Sequence, residues 1–275
     1  MTDAPRIFSP EYYERMRLLE SDSWWNAGMR DIAAKLLENA GLPVRGLLLD
    51  IGCGSGQTMA WFLGAHAEWT AAGIDVSVDG ITAARALGLD VVHGDALHLP
   101  FATGSADLLI CLDVLQHLPL IDGDRKCLAE MTRVLRPGGA VFIRTNCQSI
   151  PRTTDDPKND FRKYVPGLLS SRLREAGFDV VVLSRANALL SLAELAREMR
   201  ATMKEGSGYH GILSHPRKAR GWGFAAKRSV LRAEGVLIES GIALPAGRSI
   251  VALCRKPVDS RESPAPVGRH IARNE

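Results

Sequence analysis

The chain has 275 residues, of which 46% are apolar and 24% charged, and a formal net charge of +3. That length suits one large domain or a domain with a modest elaboration, and the composition is that of an ordinary soluble globular protein. No apolar run approaches the roughly 20 residues needed to cross a bilayer, so no membrane partner is expected. The first residues, "MTDAPRIFSPEYYERM", lack the apolar stretch of a secretory signal. Cys53, Cys111, Cys127, Cys147 and Cys254 are scattered and form no C-x-x-C pair. They argue for a reducing compartment, hence a cytoplasmic protein, and against structural zinc or a disulfide framework.

Taken in chain order, Ser9 to Ala40 reads as two helices, the first opening with Ser9 as a cap and Pro10 in its first turn. From Gly46 to about Thr145, strand and helix patterns alternate. "LLLDI" (47–51), "WTAAGIDV" (69–76), "DVVHGD" (90–95), "ADLLICLD" (106–113) and "AVFIRT" (140–145) read as strands. Helices are expected over 57–63, 77–87 and "DGDRKCLAEMTRVL", the last closed by "RPGG". Repeated βα units of this length make the fold class α/β, a doubly wound parallel sheet with helices on both faces. A polar loop, "CQSIPRTTDDPKNDFRKYVP", comes next. It is followed by a helix (167–176), a strand "FDVVVLS" (178–184), an amphipathic helix marked by Leu189, Leu192, Leu195 and Met199, and a last strand "RSIVALCRK" (248–256). The expected organisation is a helical lid over 1–45, a core over 46–256 with a helical insertion at about 187–240, and a disordered tail over 257–275.

The chemistry is concentrated in "LLLDIGCGSGQ". A glycine-rich turn between the first strand and helix of an α/β sheet lies at the carboxyl edge, where ligands bind. Here the glycines are Gly52, Gly54 and Gly56, and Gln57 stands where a dinucleotide fingerprint has its third glycine. Asp75 ends the second strand, where a carboxylate can accept from ribose hydroxyls. Asp95 follows the third, placed to accept from an adenine amine. Asp50 sits beside the turn itself. A pyrophosphate prefers bare N–H groups and a helix dipole. An acid beside them instead suits a ligand that carries an amine and a carboxylate.

These segments resemble the class I S-adenosylmethionine-dependent methyltransferases. "LLLDIGCGSGQ", "GIDVS", "HGDALHLPF", "ADLLICLDVLQHLP" and "VLRPGGAVFI" follow the order and spacing of that family's motifs from about 46 to 145. The resemblance implies a Rossmann-like, seven-stranded sheet with one antiparallel member, N-terminal helices and a C-terminal helical elaboration. It implies S-adenosyl-L-methionine as the cofactor, in a pocket shaped by Gly52, Cys53, Gly54 and Gly56 beside Asp50. Asp75 would hold the ribose, with the adjacent Val76 also in the cofactor site; Asp95 and the Ala96 amide would read the adenine, and Cys111 would lie against the cofactor.

For the acceptor, His117 in "LDVLQHLP" is the candidate general base, since it follows the fourth strand by about one turn and histidine titrates in the useful range. The competing role is packing or capping. No H-E-x-x-H or clustered ligand set points to a metal. Tyr12, Tyr13, Trp24 and Trp25 could cover the pocket, or the tryptophans could pack a helix onto the sheet. One branch of the family has a Trp-Trp pair here and an H-x-R-R-Y motif after strand five. This chain reads "DFRKY", with Asp160 in place of the histidine and Lys163 in place of an arginine. Arg162 and Tyr164 are therefore either acceptor-pocket residues or loop anchors. Residues 206–232 hold six Lys or Arg and no acid; such a run is either a solvated face or an anion site. A net charge of +3 with no RNA-binding module weighs against nucleic acid and for a small-molecule acceptor, with natural-product metabolism as one setting. An RNA or protein methyltransferase, or a non-catalytic cofactor-binding regulator, are the alternatives.

Overall fold

A computed structural model describes residues 23–147, 162–191 and 222–258. In chain order the elements are α1 (Trp24–Glu38), β1 (Leu47–Ile51), α2 (Gln57–Ala65), β2 (Thr70–Asp75), α3 (Val78–Ala86), β3 (Asp90–His93) and β4 (Ala106–Leu112). A 3-10 turn (Leu115–His117) leads to α4 (Gly123–Val134), β5 (Leu135–Asn146), α5 (Pro166–Glu175), β6 (Asp179–Ala186), α6 (Trp222–Glu239) and β7 (Ser249–Arg255). The strands form one seven-stranded sheet in the order β3-β2-β1-β4-β5-β7-β6. β7 alone runs antiparallel, paired with β5 on one side and β6 on the other. All seven expected strands are present.

The sheet is buried on both faces, which is why its strands read as continuous apolar runs. Alternation along each strand divides the core. Leu48, Leu108, Ile110 and Phe142 face α1, α2 and α6. Leu49, Ile51, Leu109, Cys111 and Ile143 face α4 and α5. Each fully buried large side chain contributes roughly 1.5–3 kcal/mol. Local signals start the helices: the Ser23 hydroxyl accepts from the Trp25 N–H at 3.2 Å, and the Ser77 hydroxyl accepts from the Gly80 N–H at 3.1 Å. α1 and α6 approach closely at Gly28, where an added Cβ would stand 2.3 Å from Leu231 Cδ1.

Two boundaries differ from expectation. α4 ends at Val134, and the chain becomes extended at once, so β5 begins at Leu135 rather than 140. Leu135 pairs with Ala106, and pairing resumes at Ala140 opposite Leu108. "RPGG" is thus an irregularity within the strand, with Gly138 at φ 75°. The described part of the expected lid, α1, is a layer of the core: Trp24 and Trp25 are each only 7% exposed. Residues 1–22, most of the loop after β5, most of the helix expected from Leu189 and the tail beyond Val258 lie outside the described residues.

Candidate active site

Parallel strands finish on one side of a sheet, and the ends of β1 to β5 meet there. The three glycines of the first turn all have positive φ, 75° at Gly52, 50° at Gly54 and 78° at Gly56. Their surroundings differ. A Cβ on Gly52 would lie 2.2 Å from Val114 Cγ2, and one on Gly56 would lie 2.4 Å from Leu89 Cδ1. Packing of the protein itself demands those two. A Cβ on Gly54 would meet nothing within 4 Å. The middle glycine faces open space.

The turn is anchored to β2. The Gly52 and Cys53 N–H groups donate to the Ile74 carbonyl at 2.8 and 3.0 Å. The Gly54 N–H donates to Asp75 Oδ2 at 2.7 Å, and the Ser77 N–H to Asp75 Oδ1 at 2.8 Å. Asp75 is 8% exposed, and its burial pushes the carboxyl above the usual carboxylate range in spite of those two bonds. Asp50 is buried at the end of β1, whereas Val76 is exposed just beyond Asp75. Asp95 is exposed and accepts from the Leu97 N–H at 2.9 Å, with Ala96 buried beside it. This second loop is held from α4. Glu130 Oε2 accepts from the Leu99 N–H at 2.8 Å, while Arg133 donates to the Leu99 and Phe101 carbonyls at 2.9 and 2.8 Å.

The exit from β4 is unusual. Asp113 adopts φ 58°, a conformation that costs a residue with a Cβ. Its N–H donates to the Arg144 carbonyl at 2.8 Å. Its Oδ2 receives Arg144 Nε at 3.0 Å and Nη2 at 2.5 Å. The Arg144 guanidinium lies 4.6 Å from the centre of the Trp25 ring. His117 closes the 3-10 turn, its N–H donating to the Val114 carbonyl at 2.9 Å. Burial lowers its pKa from the ordinary imidazole value, and the Asp113 charge offsets part of that. Gln116 Oε1 accepts from Thr145 Oγ1 and the Asn146 N–H, both at 2.9 Å, tying this turn to the end of β5.

Residues 49–143 match the family described as "Methyltransferase domain". That segment, about a third of the chain, carries a methyltransferase domain. A tRNA (carboxymethyluridine(34)-5-O)-methyltransferase of Arabidopsis thaliana is 34% identical to it over 102 residues, covering 37% of this chain and 24% of that protein. O-methyltransferase resE of Aspergillus sclerotiorum is 32% identical over 167 residues, covering 55% and 60%. The chain thus spans about a quarter of the first relative and under two thirds of the second. In fold, the Haemonchus contortus phosphoethanolamine N-methyltransferase 2 structure in complex with S-adenosyl-L-methionine matches with TM-score 0.59 at 16% identity. That match covers 90% of this chain and 57% of that one.

Within the methyltransferase domain, Asp50, Gly52, Gly54, Gly56, Asp75, Val76, Asp95 and Ala96 gather at the edge where β1, β2 and β3 end. The side chains of four expected residues are committed inside the protein. Cys111 is fully buried: strand alternation turns its side chain toward α4, where it meets the Cys127 thiol. Cys53 is 7% exposed and packs with Met59 in a small cluster under the turn, so its contribution there is backbone. Tyr164 has no exposed surface, and its hydroxyl donates to Asp124 Oδ2 at 3.3 Å. Arg162 is committed to Asp124 at 2.5 Å and to the Pro119 and Leu120 carbonyls at 2.8 and 2.7 Å. Both are loop anchors, and neither presents a group to an acceptor. Trp25 stands over Arg144. Tyr12 and Tyr13 lie outside the described residues. Sequence reasoning missed Asp113 and Arg144. The signal was an acid immediately past a strand end, with a lone arginine inside the apolar run of its neighbour.

Proposed function

We propose that this chain is an S-adenosylmethionine-dependent methyltransferase acting on a small-molecule acceptor. The observation that carries the reading is Gly54, a left-handed glycine facing open space whose amide is pinned by a buried acid at the end of β2. The residues fit the cofactor. Bare backbone at Gly54 admits close approach, and Asp75 keeps lone pairs for ribose hydroxyls after accepting its two N–H groups. Exposed Val76 offers an apolar surface to a flat ring, and the Asp95 carboxylate and Ala96 amide would read that ring's edge.

When bound, S-adenosylmethionine supplies a methyl group on a positively charged sulfur. The chain's own residues orient the acceptor, exclude water and receive a proton. His117, kept neutral near pH 7 by burial, takes the proton from the acceptor heteroatom. The heteroatom so deprotonated would be the nucleophile toward that methyl group, with the carbon–sulfur electron pair left on the sulfur. Alignment supplies about 7–11 kcal/mol of the barrier, and a base typically adds 10²–10⁴-fold.

Incubation with methyl-labelled S-adenosylmethionine and separate small-metabolite and RNA pools tests the reading. Label in the small-molecule fraction supports it, and label confined to RNA replaces it. The RNA alternative draws on the tRNA methyltransferases among the relatives. The basic run supports it weakly: Arg228 and Arg232 both bind Asp31, at 2.6 and 2.9 Å, and Lys227 lies 5.0 Å from the Trp24 ring centre. Arg217, Lys218 and Arg220 lie outside the described residues.

A further inference from the structure

The ion pair at the exit of β4 lies beside the glycine turn. Asp113 directly precedes Val114, the residue against which Gly52 packs. β1 and β4 are neighbours, with Ile51 opposite Cys111, so the two strands release Gly52 and Asp113 at almost the same level of the sheet edge. Three features set Asp113 apart from an ordinary surface acid. Its backbone is held in a left-handed conformation. Both guanidinium contacts of Arg144 converge on the same oxygen, Oδ2, and the other oxygen, Oδ1, makes no hydrogen bond among the described residues. Finally, the side chain is still 26% exposed, while Arg144 behind it is 12% exposed and covered by Trp25. A partly exposed carboxylate with one oxygen fastened by a guanidinium and the other without a hydrogen bond among the described residues is a directed acceptor of hydrogen bonds.

We propose that Asp113 receives the group to be methylated: its Oδ1 accepts a hydrogen bond from an N–H or O–H of the acceptor, and Arg144, backed by Trp25, aims the carboxylate. The inference rests on the methyltransferase reading and narrows it to acceptors with a hydrogen on the reacting heteroatom, phenols or amines. His117, four residues on, then stands across the 3-10 turn as the proton acceptor, while Asp113 holds the heteroatom in line. Arg144 acts through Asp113 and is a positioning residue.

Asp113→Asn is the informative variant, because asparagine tolerates the left-handed backbone while losing the charge. Wild type, Asp113→Asn and Arg144→Lys are assayed with methyl-labelled S-adenosylmethionine against a panel of phenols and primary and secondary amines, with a 1,3-diketone as a carbon acceptor. S-adenosylhomocysteine binding is measured in parallel. Expected results are transfer to a phenol or an amine by wild type and unchanged S-adenosylhomocysteine affinity in both variants. Acceptor kcat/KM falls roughly 10²-fold in Asp113→Asn and less in Arg144→Lys. The acid limb of the pH profile moves to lower pH in Asp113→Asn, since the charge that raises the His117 proton affinity is gone. That shift follows from the lost charge alone; the fall in acceptor kcat/KM at unchanged S-adenosylhomocysteine affinity is what reads the acceptor contact, and a merely structural role would not produce it. Full activity in Asp113→Asn, transfer by wild type to the diketone alone, or transfer to no probe overturns the proposal; S-adenosylhomocysteine binding that persists in those cases leaves the cofactor reading standing.

Discussion

Gly52 and Gly54 are two residues apart and carry the same requirement for positive φ, yet the structure separates their roles. Gly52→Ala adds backbone strain of roughly 1–2 kcal/mol and drives its Cβ into Val114, so a clear loss of thermal stability is expected. Gly54→Ala carries similar strain without a clash, and its methyl enters the open space. The expected result is a folded protein with strongly weakened S-adenosylhomocysteine affinity, read by calorimetry beside a melting curve. At His117 the linkage has a definite sign. Its folded pKa lies below the ordinary imidazole value of 6.5, so the unfolded chain binds the proton more readily. Its contribution to stability is present above that value and is lost as pH falls from it through the lowered folded pKa. The same shift keeps the base neutral to lower pH. His117→Gln is expected to reduce kcat by 10²–10⁴-fold and to remove the acid limb from the pH–rate profile. A variant that keeps both would assign His117 to packing.

At the scale of elements, two clusters on α4 and its neighbours hold the loops that shape the site. Arg133 grips the Leu99 and Phe101 carbonyls while Glu130 takes the Leu99 N–H, which fixes the segment that carries Asp95 and Ala96. Arg133→Ala releases both carbonyl contacts and the ion pair that Arg133 Nε makes with Glu130 Oε1 at 2.7 Å. It is expected to weaken S-adenosylhomocysteine binding several-fold with a stability loss of roughly 1–3 kcal/mol, measured by titration and by denaturant unfolding. Asp124 is the hub of the second cluster, fully buried between Arg162 at 2.5 Å and Arg172 at 3.3 Å. Asp124→Ala strands those guanidinium groups, and a loss of roughly 3–5 kcal/mol is expected in the urea midpoint. Hydrogen-bonded hubs of this kind were not legible in the sequence. Nothing in "DFRKY" announces that Arg162 reaches back to residues 119–124 rather than out to an acceptor, because that contact is set by how two loops meet. The strands were legible for the opposite reason: burial on both faces leaves apolar runs such as "LLLDI" and "ADLLICL" that need no tertiary knowledge to read. Cys111 shows the limit between the two. Its strand was readable, but which face its side chain takes depends on register.

Over the whole molecule, the doubly wound sheet explains why the residues in question converge at all. Parallel strands bring Asp50, the glycine turn, Asp75, Asp95 and the Asp113–His117 turn to one edge from positions spread over nearly 70 residues of chain. α1 and α6 close the opposite face of the β4–β5 exit, and Trp25 reaches that edge from α1 to cover Arg144. Everything proposed for this edge depends on the ligand of the glycine turn. Calorimetric titration of the purified chain with S-adenosylhomocysteine, with NAD as the control, tests it most directly. The account predicts saturable one-to-one binding of S-adenosylhomocysteine and none of NAD. Binding of NAD alone, or of neither, would contradict it.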